Sequence, residues 1–138
     1  MESDSHKAAI AAATPCKPGR KGLARLIAAT GYSWSGFQQA WKYEAAFREE
    51  LLLLILLVPA AFWLGETAVE TAILLMSCLA VLVTELLNSA VEAVVDLASP
   101  SIHPLAARAK DIGSAAVFVA LIQVLVVWGL MGWTRFCN

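Results

Sequence analysis

Apolar residues in this chain gather into three long runs that are separated by short polar segments. The runs cover about 45–65, 70–96 and 112–134, and each reaches the ~20 residues that a helix needs to cross a hydrocarbon core of ~30 Å. The first run is continuously apolar only over 51–64, so its helix must extend back through three charged residues. The pattern predicts an all-α membrane protein with three transmembrane helices.

A further periodic segment, about 23–43, precedes these runs. Its apolar residues recur at helical spacing with polar residues between them, and its Trp and Tyr side chains suit the headgroup level of a bilayer. We predict an amphipathic surface helix that is broken or bent at Gly31 and Gly36. Residues 1–22 lack this periodicity and are predicted to be a flexible tail, which leaves 23–138 as one membrane domain.

The composition agrees with a membrane protein, because 59% of the 138 residues are hydrophobic and the mean hydropathy is +0.70. A formal net charge of -1, without a basic stripe of interleaved aromatics, argues against a nucleic-acid partner. Three cysteines without CxxC or histidine spacing indicate neither a disulfide framework nor a zinc site.

The ten Lys and Arg residues predict the orientation in the membrane. Seven of them lie before residue 51, none lies in the acidic connection 65–70, two lie in the connection 97–111, and Arg135 lies near the C-terminus. Cytoplasmic loops carry an excess of Lys and Arg. The N-terminus is therefore expected in the cytoplasm and the C-terminus outside.

Polar residues interrupt the second run in a regular way, in the segment TELLNSAVEAVVD. Glu85, Asn88, Glu92 and Asp96 have offsets that place them on one face of a helix. An ionised carboxylate in hydrocarbon costs several kcal/mol, so this stripe must face protein, water or a cation. It is a candidate functional site, although Glu85 and Asn88 could also act only as hydrogen-bonding groups between helices.

The residue types permit phosphate chemistry at the cytoplasmic end of the stripe. Glu44, Glu92 and Asp96 could supply oxygen ligands to Mg²⁺, which takes one or two carboxylates together with substrate phosphates. Lys110 could hold a phosphate as a point charge. Glu85 lies deeper in the membrane, where it could accept a proton from a lipid hydroxyl.

Three segments carry a resemblance to a known family: GYSWSGFQQAWKYEAAFREE, TELLNSAVEAVVD and ARAKDIGSAAV. They resemble the signatures of the prokaryotic integral-membrane diacylglycerol kinases, and the similarity extends over about 23–133. It implies a homotrimer in the bacterial inner membrane, with active sites shared between subunits. Each chain would have three transmembrane helices and a surface helix, and would transfer the γ-phosphate of ATP, with Mg²⁺, to the hydroxyl of diacylglycerol.

The resemblance also implies roles for individual residues. Glu85 would be the general base, Glu44 and Glu92 the metal ligands, Asn88 a positioning residue and Lys110 a phosphate contact. The nucleotide site would comprise Arg25, Tyr32, Ser33, Glu44, Phe47, Glu92, Lys110 and Asp111. The substrate-binding or supporting positions would be Asn88, Asp96, Gly113 and Ser114.

Two other functions are compatible with parts of this pattern. A close relative of the family phosphorylates undecaprenol, and the catalytic motifs do not separate the two acceptors. A small ion- or proton-conducting helical oligomer would also use a membrane Glu and Asn pair. The segment AKDIGSAAV and Glu44 argue against a pore, which has no need of a basic residue paired with acids outside the hydrocarbon.

Overall fold

Four α-helices account for most of the residues that the computed structural model describes, which are 22–99 and 103–137. The described residues contain no β-strand, so the predicted all-α class is confirmed. Apart from Gly22, the predicted tail lies outside the described residues. The helices are α1 (Leu23–Tyr43), α2 (Ala45–Leu64), α3 (Ala68–Ala98) and α4 (Pro104–Cys137).

Helix α1 continues through both of its internal glycines without interruption. The break expected at Gly31 or Gly36 is therefore absent. A glycine in a helix interior costs only ~1 kcal/mol relative to alanine, which two positions in a helix of 21 residues can absorb. The chain divides into two compact units, Met1–Gly36 and Phe37–Asn138, and the second unit contains the end of α1 together with the other three helices.

The connection between α2 and α3 is short and specified by its own residues. Thr67 accepts a hydrogen bond from the Glu70 amide, and the Glu70 carboxylate accepts one from the Thr67 amide, which forms a capping box. Gly65 is packed tightly, because a Cβ at this position would lie 2.5 Å from the Thr71 Oγ1 atom. The turn therefore requires glycine, and it fixes where α3 begins.

Two small clusters join neighbouring helices: the first connects the end of α1 with α2 and α3, and the second connects α2 with α3 and has residues of α4 packed against it. One contains Ala40, Phe47 and Leu82, and the other contains Ala61, Leu64 and Leu74. Most of the other large apolar side chains of the four helices are exposed in the single chain. In a soluble protein such exposure would favour aggregation, whereas lipid or further copies of the chain would cover it in a membrane.

Helices α3 and α4 are long and apolar enough to cross a membrane, judged by length and composition. Helix α2 spans 20 residues, but Arg48, Glu49 and Glu50 lie in its first two turns. The described residues thus contain two candidate spans rather than the three predicted. Charges at the end of a helix can reach the interface, and for this reason we keep α2 as a span in the proposal below.

Candidate active site

Glu85 lies in the interior of the helix bundle, with a relative exposure of only 5%. Its carboxylate is within electrostatic range of Glu44, Glu92 and Glu50. Glu92 stands two turns further along α3, about 10 Å along the axis. Glu44 and Glu50 come from the beginning of α2, so the acidic cluster joins two helices and cannot be formed by α3 alone.

The break between α1 and α2 positions Glu44. This residue has an extended backbone with φ -104° and ψ 112° and precedes the first turn of α2. The Arg48 guanidinium donates a hydrogen bond of 2.9 Å to the Trp41 carbonyl near the end of α1, which satisfies one of the acceptors that a helix leaves open at its C-terminal end. This hydrogen bond joins residues on both sides of Glu44 and so fixes the junction between α1 and α2.

Glu50 is the residue that sequence reasoning missed. Its position beside Glu49 is typical of an interfacial solvated charge, but its Oε2 atom is buried without a hydrogen-bond partner in the described part of the chain, whereas Glu49 is exposed. Glu50 follows Phe47 by three residues and precedes Leu54 by four, and both of these belong to the core contacts of α2. Helical spacing therefore places Glu50 on the contact face of α2, once the structure has shown which face that is.

Asn88 connects Glu92 to α4. Its Nδ2 donates a hydrogen bond of 3.1 Å to the Glu92 Oε1 atom, and its Oδ1 atom is buried with no partner among the described residues. Opposite stands Gly113, where a Cβ would lie 2.1 Å from the Asn88 Oδ1 atom. Glycine at this position lets the amide approach α4 closely.

We predict that Gly113→Ala displaces the Asn88 side chain and breaks its hydrogen bond to Glu92. The amide can rotate away, so the loss of stability should lie at the low end of the ~1–3 kcal/mol typical of overpacking. A misplacement of about 1 Å near a reacting centre lowers turnover by up to ~10²-fold. Turnover and thermal stability measured side by side test this prediction.

Gly129→Ala is the matched control for this substitution, since nothing lies within 4 Å of a Cβ at that position on the same helix. It should leave turnover close to that of the unmodified chain and raise stability by up to ~1 kcal/mol, because alanine favours a helix more than glycine does. Equal losses in the two variants would show that helix α4 tolerates alanine poorly in general, and would contradict the specific role of Gly113.

Lys110 and Asp96 form an ion pair between α4 and α3, with 2.6 Å between Nζ and Oδ1. The hydrogen bond to Asp96 is the main cause that raises the pKa of the Lys110 ammonium. The ion pair stabilises the folded protein fully at pH values below the ordinary pKa of lysine, and this stabilisation is lost as the pH rises through the raised pKa of Lys110. Lys110 is accordingly positively charged throughout the physiological range.

The carboxylates fit a nucleotide-bound Mg²⁺ better than a metal held by protein alone. The described residues contain no group of three or more His, Cys, Asp or Glu side chains arranged to hold an ion. Mg²⁺ in phosphate-transfer sites keeps several waters and takes one or two carboxylates together with phosphate oxygens. Glu44 and Glu92, both within electrostatic range of Glu85, would supply that number of carboxylates.

The other predicted site residues occupy varied positions. Phe47 is buried, and its ring stacks on Phe37 with 6.4 Å between centroids, so its side chain supports the core. Asp111 and Ser114 are exposed on α4. The structure also places Arg25, Tyr32 and Ser33 on the exposed surface of α1, in the first of the two compact units.

An open groove of about 410 Å³ lies between α3 and α4 next to Asn88. Its walls are mainly apolar, with Leu87 and Val91 on α3 and Ile112 on α4. A groove of this kind can accept a hydrocarbon chain, whereas a charged group would lose its hydration there. The polar stripe and an apolar surface are thus adjacent.

Comparison with known proteins identifies the family. Residues 31–131 match the prokaryotic diacylglycerol kinase family. The chain is 45% identical over 115 residues to a diacylglycerol kinase of Escherichia coli (strain K12), a match that covers 83% of this chain and 94% of the relative. It is 51% identical over 110 residues to one of Pseudomonas aeruginosa, covering 80% and 89%, and 51% identical over 108 residues to one of Haemophilus influenzae, covering 78% and 92%. The chain belongs to the prokaryotic diacylglycerol kinase family.

Proposed function

We propose that this membrane protein is a lipid kinase that transfers the γ-phosphate of MgATP to the hydroxyl of diacylglycerol, giving phosphatidic acid and ADP. The observation that carries the proposal is the position of Glu85, which is buried within electrostatic range of Glu44 and Glu92. The names of the relatives support diacylglycerol as the acceptor. They do not favour undecaprenol or an ion-conducting oligomer.

Phosphoryl transfer asks the protein mainly for positioning and for neutralisation of charge. Glu85 accepts the proton of the lipid hydroxyl while the hydroxyl oxygen forms a bond to the γ-phosphorus. The bond between the γ-phosphorus and the oxygen that bridges it to the β-phosphate breaks, which releases ADP. A base in this role typically contributes ~10²–10⁴-fold to the rate. The depth of Glu85 in α3 suits a substrate whose hydroxyl stays near the membrane.

Glu44 and Glu92 would hold the Mg²⁺ that accompanies ATP, and the ion would supply neutralisation of the phosphate charge. Asn88 holds the Glu92 carboxylate through its hydrogen bond of 3.1 Å and so orients one of these oxygens. We assign Lys110 to the phosphates. Contacts to the remainder of the nucleotide are proposed for Arg25, Tyr32, Ser33 and Asp111, with Phe47, Asp96, Gly113 and Ser114 as supporting residues.

The groove beside Asn88 offers a place for the hydrocarbon part of the acceptor. Its walls on α3 and α4 are mainly apolar, and Asn88 of the polar stripe is one of the residues that line it. A neutral diacylglycerol can lie with its chains on such a surface and its hydroxyl near the carboxylates. In such an arrangement an intramembrane acid would meet the lipid hydroxyl within the membrane.

We propose that three copies assemble in the bacterial inner membrane, each with α2, α3 and α4 as spans and α1 on the surface. The exposed apolar side chains support assembly. The excess of Lys and Arg before residue 51 supports a cytoplasmic N-terminus and an outer C-terminus.

Thiol labelling tests this orientation. In a Cys16→Ser variant, the exposed thiol of Cys137 should react with a membrane-impermeant reagent added from outside. Reaction only from the inner side would show that the orientation is the opposite one.

We predict that the active site is shared between subunits. Glu85→Gln and Arg25→Met should each lose most of the activity alone, and mixed oligomers should recover part of it if the two groups serve one site from different chains. Mixing the two variants at a range of ratios, with mixed assembly verified by differently tagged subunits, measures this recovery. Verified mixed oligomers without any recovery would place both residues of a site in the same chain.

Acceptor preference tests the proposed function. Purified protein in mixed micelles should phosphorylate diacylglycerol faster than undecaprenol at equal mole fraction and with the same MgATP. Glu49→Gln, an exposed acid on α2 outside the site, should show the same preference and rate. A faster transfer to undecaprenol would contradict the assignment of the acceptor and leave the kinase chemistry standing.

A further inference from the structure

The ion pair between Asp96 and Lys110 joins the two helix ends that border the candidate site. Asp96 lies in the last turn of α3, and Lys110 lies in the second turn of α4. The distance of 2.6 Å is that of a charge-assisted hydrogen bond. Both side chains are accessible, with relative exposures of 65% for Asp96 and 37% for Lys110, so solvent and ligands can reach the pair.

The charge of Asp96 is not where its own helix would favour it. A helix has a partial negative charge at its C-terminal end and a partial positive charge at its N-terminal end. Asp96 is an acid in the last turn of α3, which has no basic residue. Lys110 lies in the second turn of α4, beyond the first turn in which the dipole acts most strongly. Asp96 therefore gains from Lys110 the positive charge that its own helix end does not provide.

The pair also limits where the ammonium group can lie. A lysine side chain has a flexible stem of four carbons, and fixing it in one conformation costs up to ~2 kcal/mol of rotamer entropy. Glu92, one turn before Asp96 on the same face of α3, acts on Lys110 electrostatically. The bond to Asp96 thus keeps the ammonium beside the carboxylate that we assign to the metal.

We infer that Asp96 is a positioning residue, which holds the Lys110 ammonium where the terminal phosphates of the nucleotide bind. This inference rests on the proposed function. It assigns no contact with substrate to Asp96 itself, since the carboxylate acts through its partner. It also gives the exposed acid at the end of the polar stripe a role different from that of Glu85 or Glu92.

Asp96→Asn is the informative substitution, because it keeps the size of the side chain and removes its charge. The KM for MgATP should rise by about 2- to 5-fold, the effect expected for an accessible ion pair. The kcat should change much less, because Lys110 contacts phosphate both before and during transfer. Asp96→Glu, which keeps the charge, should recover most of the affinity for MgATP.

A double-mutant cycle with Lys110→Met separates positioning from a general effect of charge. If Asp96 acts through Lys110, the double variant should bind MgATP no more weakly than Lys110→Met alone. Binding is measured directly by titration of MgATP into the full-length protein in detergent, beside thermal stability. Glu66→Gln is the matched control, since it removes an ion pair with Arg135 at the opposite end of the bundle and should leave MgATP binding unchanged.

Three outcomes would overturn the inference: additive effects of the two substitutions, tighter MgATP binding by Asp96→Asn, or an equal loss of MgATP binding in Glu66→Gln. Tighter binding would mean that Asp96 competes with phosphate for Lys110. Phosphate transfer by the unmodified protein is measured first. If the unmodified protein transfers no phosphate, the proposed function is refuted. If it is active and the effects of the two substitutions are additive, only the role of Asp96 is refuted.

Discussion

Replacement of Glu85 by Gln should lower turnover by ~10²–10⁴-fold and leave the affinity for MgATP nearly unchanged. Gln keeps the size and polarity of the side chain but cannot accept the proton of a lipid hydroxyl. Glu85 is buried in α3, about 10 Å along the axis from Glu92, so the nucleotide has little reason to contact it beyond the terminal phosphate. Turnover and MgATP binding measured in the same detergent test both parts of the expectation.

The thermal stability of the Glu85→Gln variant must be measured in parallel. Removal of a buried charge from an acidic cluster relieves repulsion with Glu44 and Glu92, so stability should stay the same or increase. A loss of turnover in a well-folded variant then reports on chemistry. Near-full turnover, or a loss of MgATP binding as large as that of Glu92→Gln, would show that Glu85 is not the base.

Glu92→Gln is expected to weaken MgATP binding by at least ~10-fold, together with a loss of turnover. Changes to residues that only orient a metal ligand cost 10–100-fold in metal affinity, and the loss of a ligand itself should cost no less. The amide can still accept the hydrogen bond from Asn88, so the local structure of α3 should persist. A titration of Mg²⁺ at fixed ATP, in which Glu92→Gln requires more metal, measures the effect.

Glu49→Gln serves as the control for the effect of Glu92→Gln. Glu49 is an exposed acid on α2, and its replacement changes the net charge of the protein by the same amount. Its requirement for Mg²⁺ should match that of the unmodified chain. If both variants require more metal to the same degree, the cause is the general field of the acids, and Glu92 is not a ligand.

The all-helical class and the polar face of α3 followed from the sequence, because helical period and apolar length depend on local residue spacing. The regular offsets of Glu85, Asn88 and Glu92 were enough to group these residues. Partners across helices were not predictable in this way. Neither the approach of Asn88 to Gly113 nor the pairing of Asp96 with Lys110 has a local signal, since each depends on the register between α3 and α4.

The burial of Glu50, on α2, likewise depends on contacts between helices that the sequence does not predict. Three adjacent charges at the beginning of an apolar helix are typical of a solvated interface, and two of them, Arg48 and Glu49, fit that interpretation in part. The third is carried inward by the rotation of 100° per residue, onto the face of α2 that contacts the core. Its burial could be predicted only when the contact face of α2 was known.

Transfer of labelled γ-phosphate from ATP into extracted lipid, with the product identified, is the most direct test of the central claim. The full-length protein in mixed micelles with diacylglycerol and Mg²⁺ should form labelled phosphatidic acid and an equal amount of ADP, and Glu85→Gln should form ~10²–10⁴-fold less in the same time. Release of ADP without labelled phosphatidic acid, or equal labelling by the Glu85→Gln variant, would contradict the account.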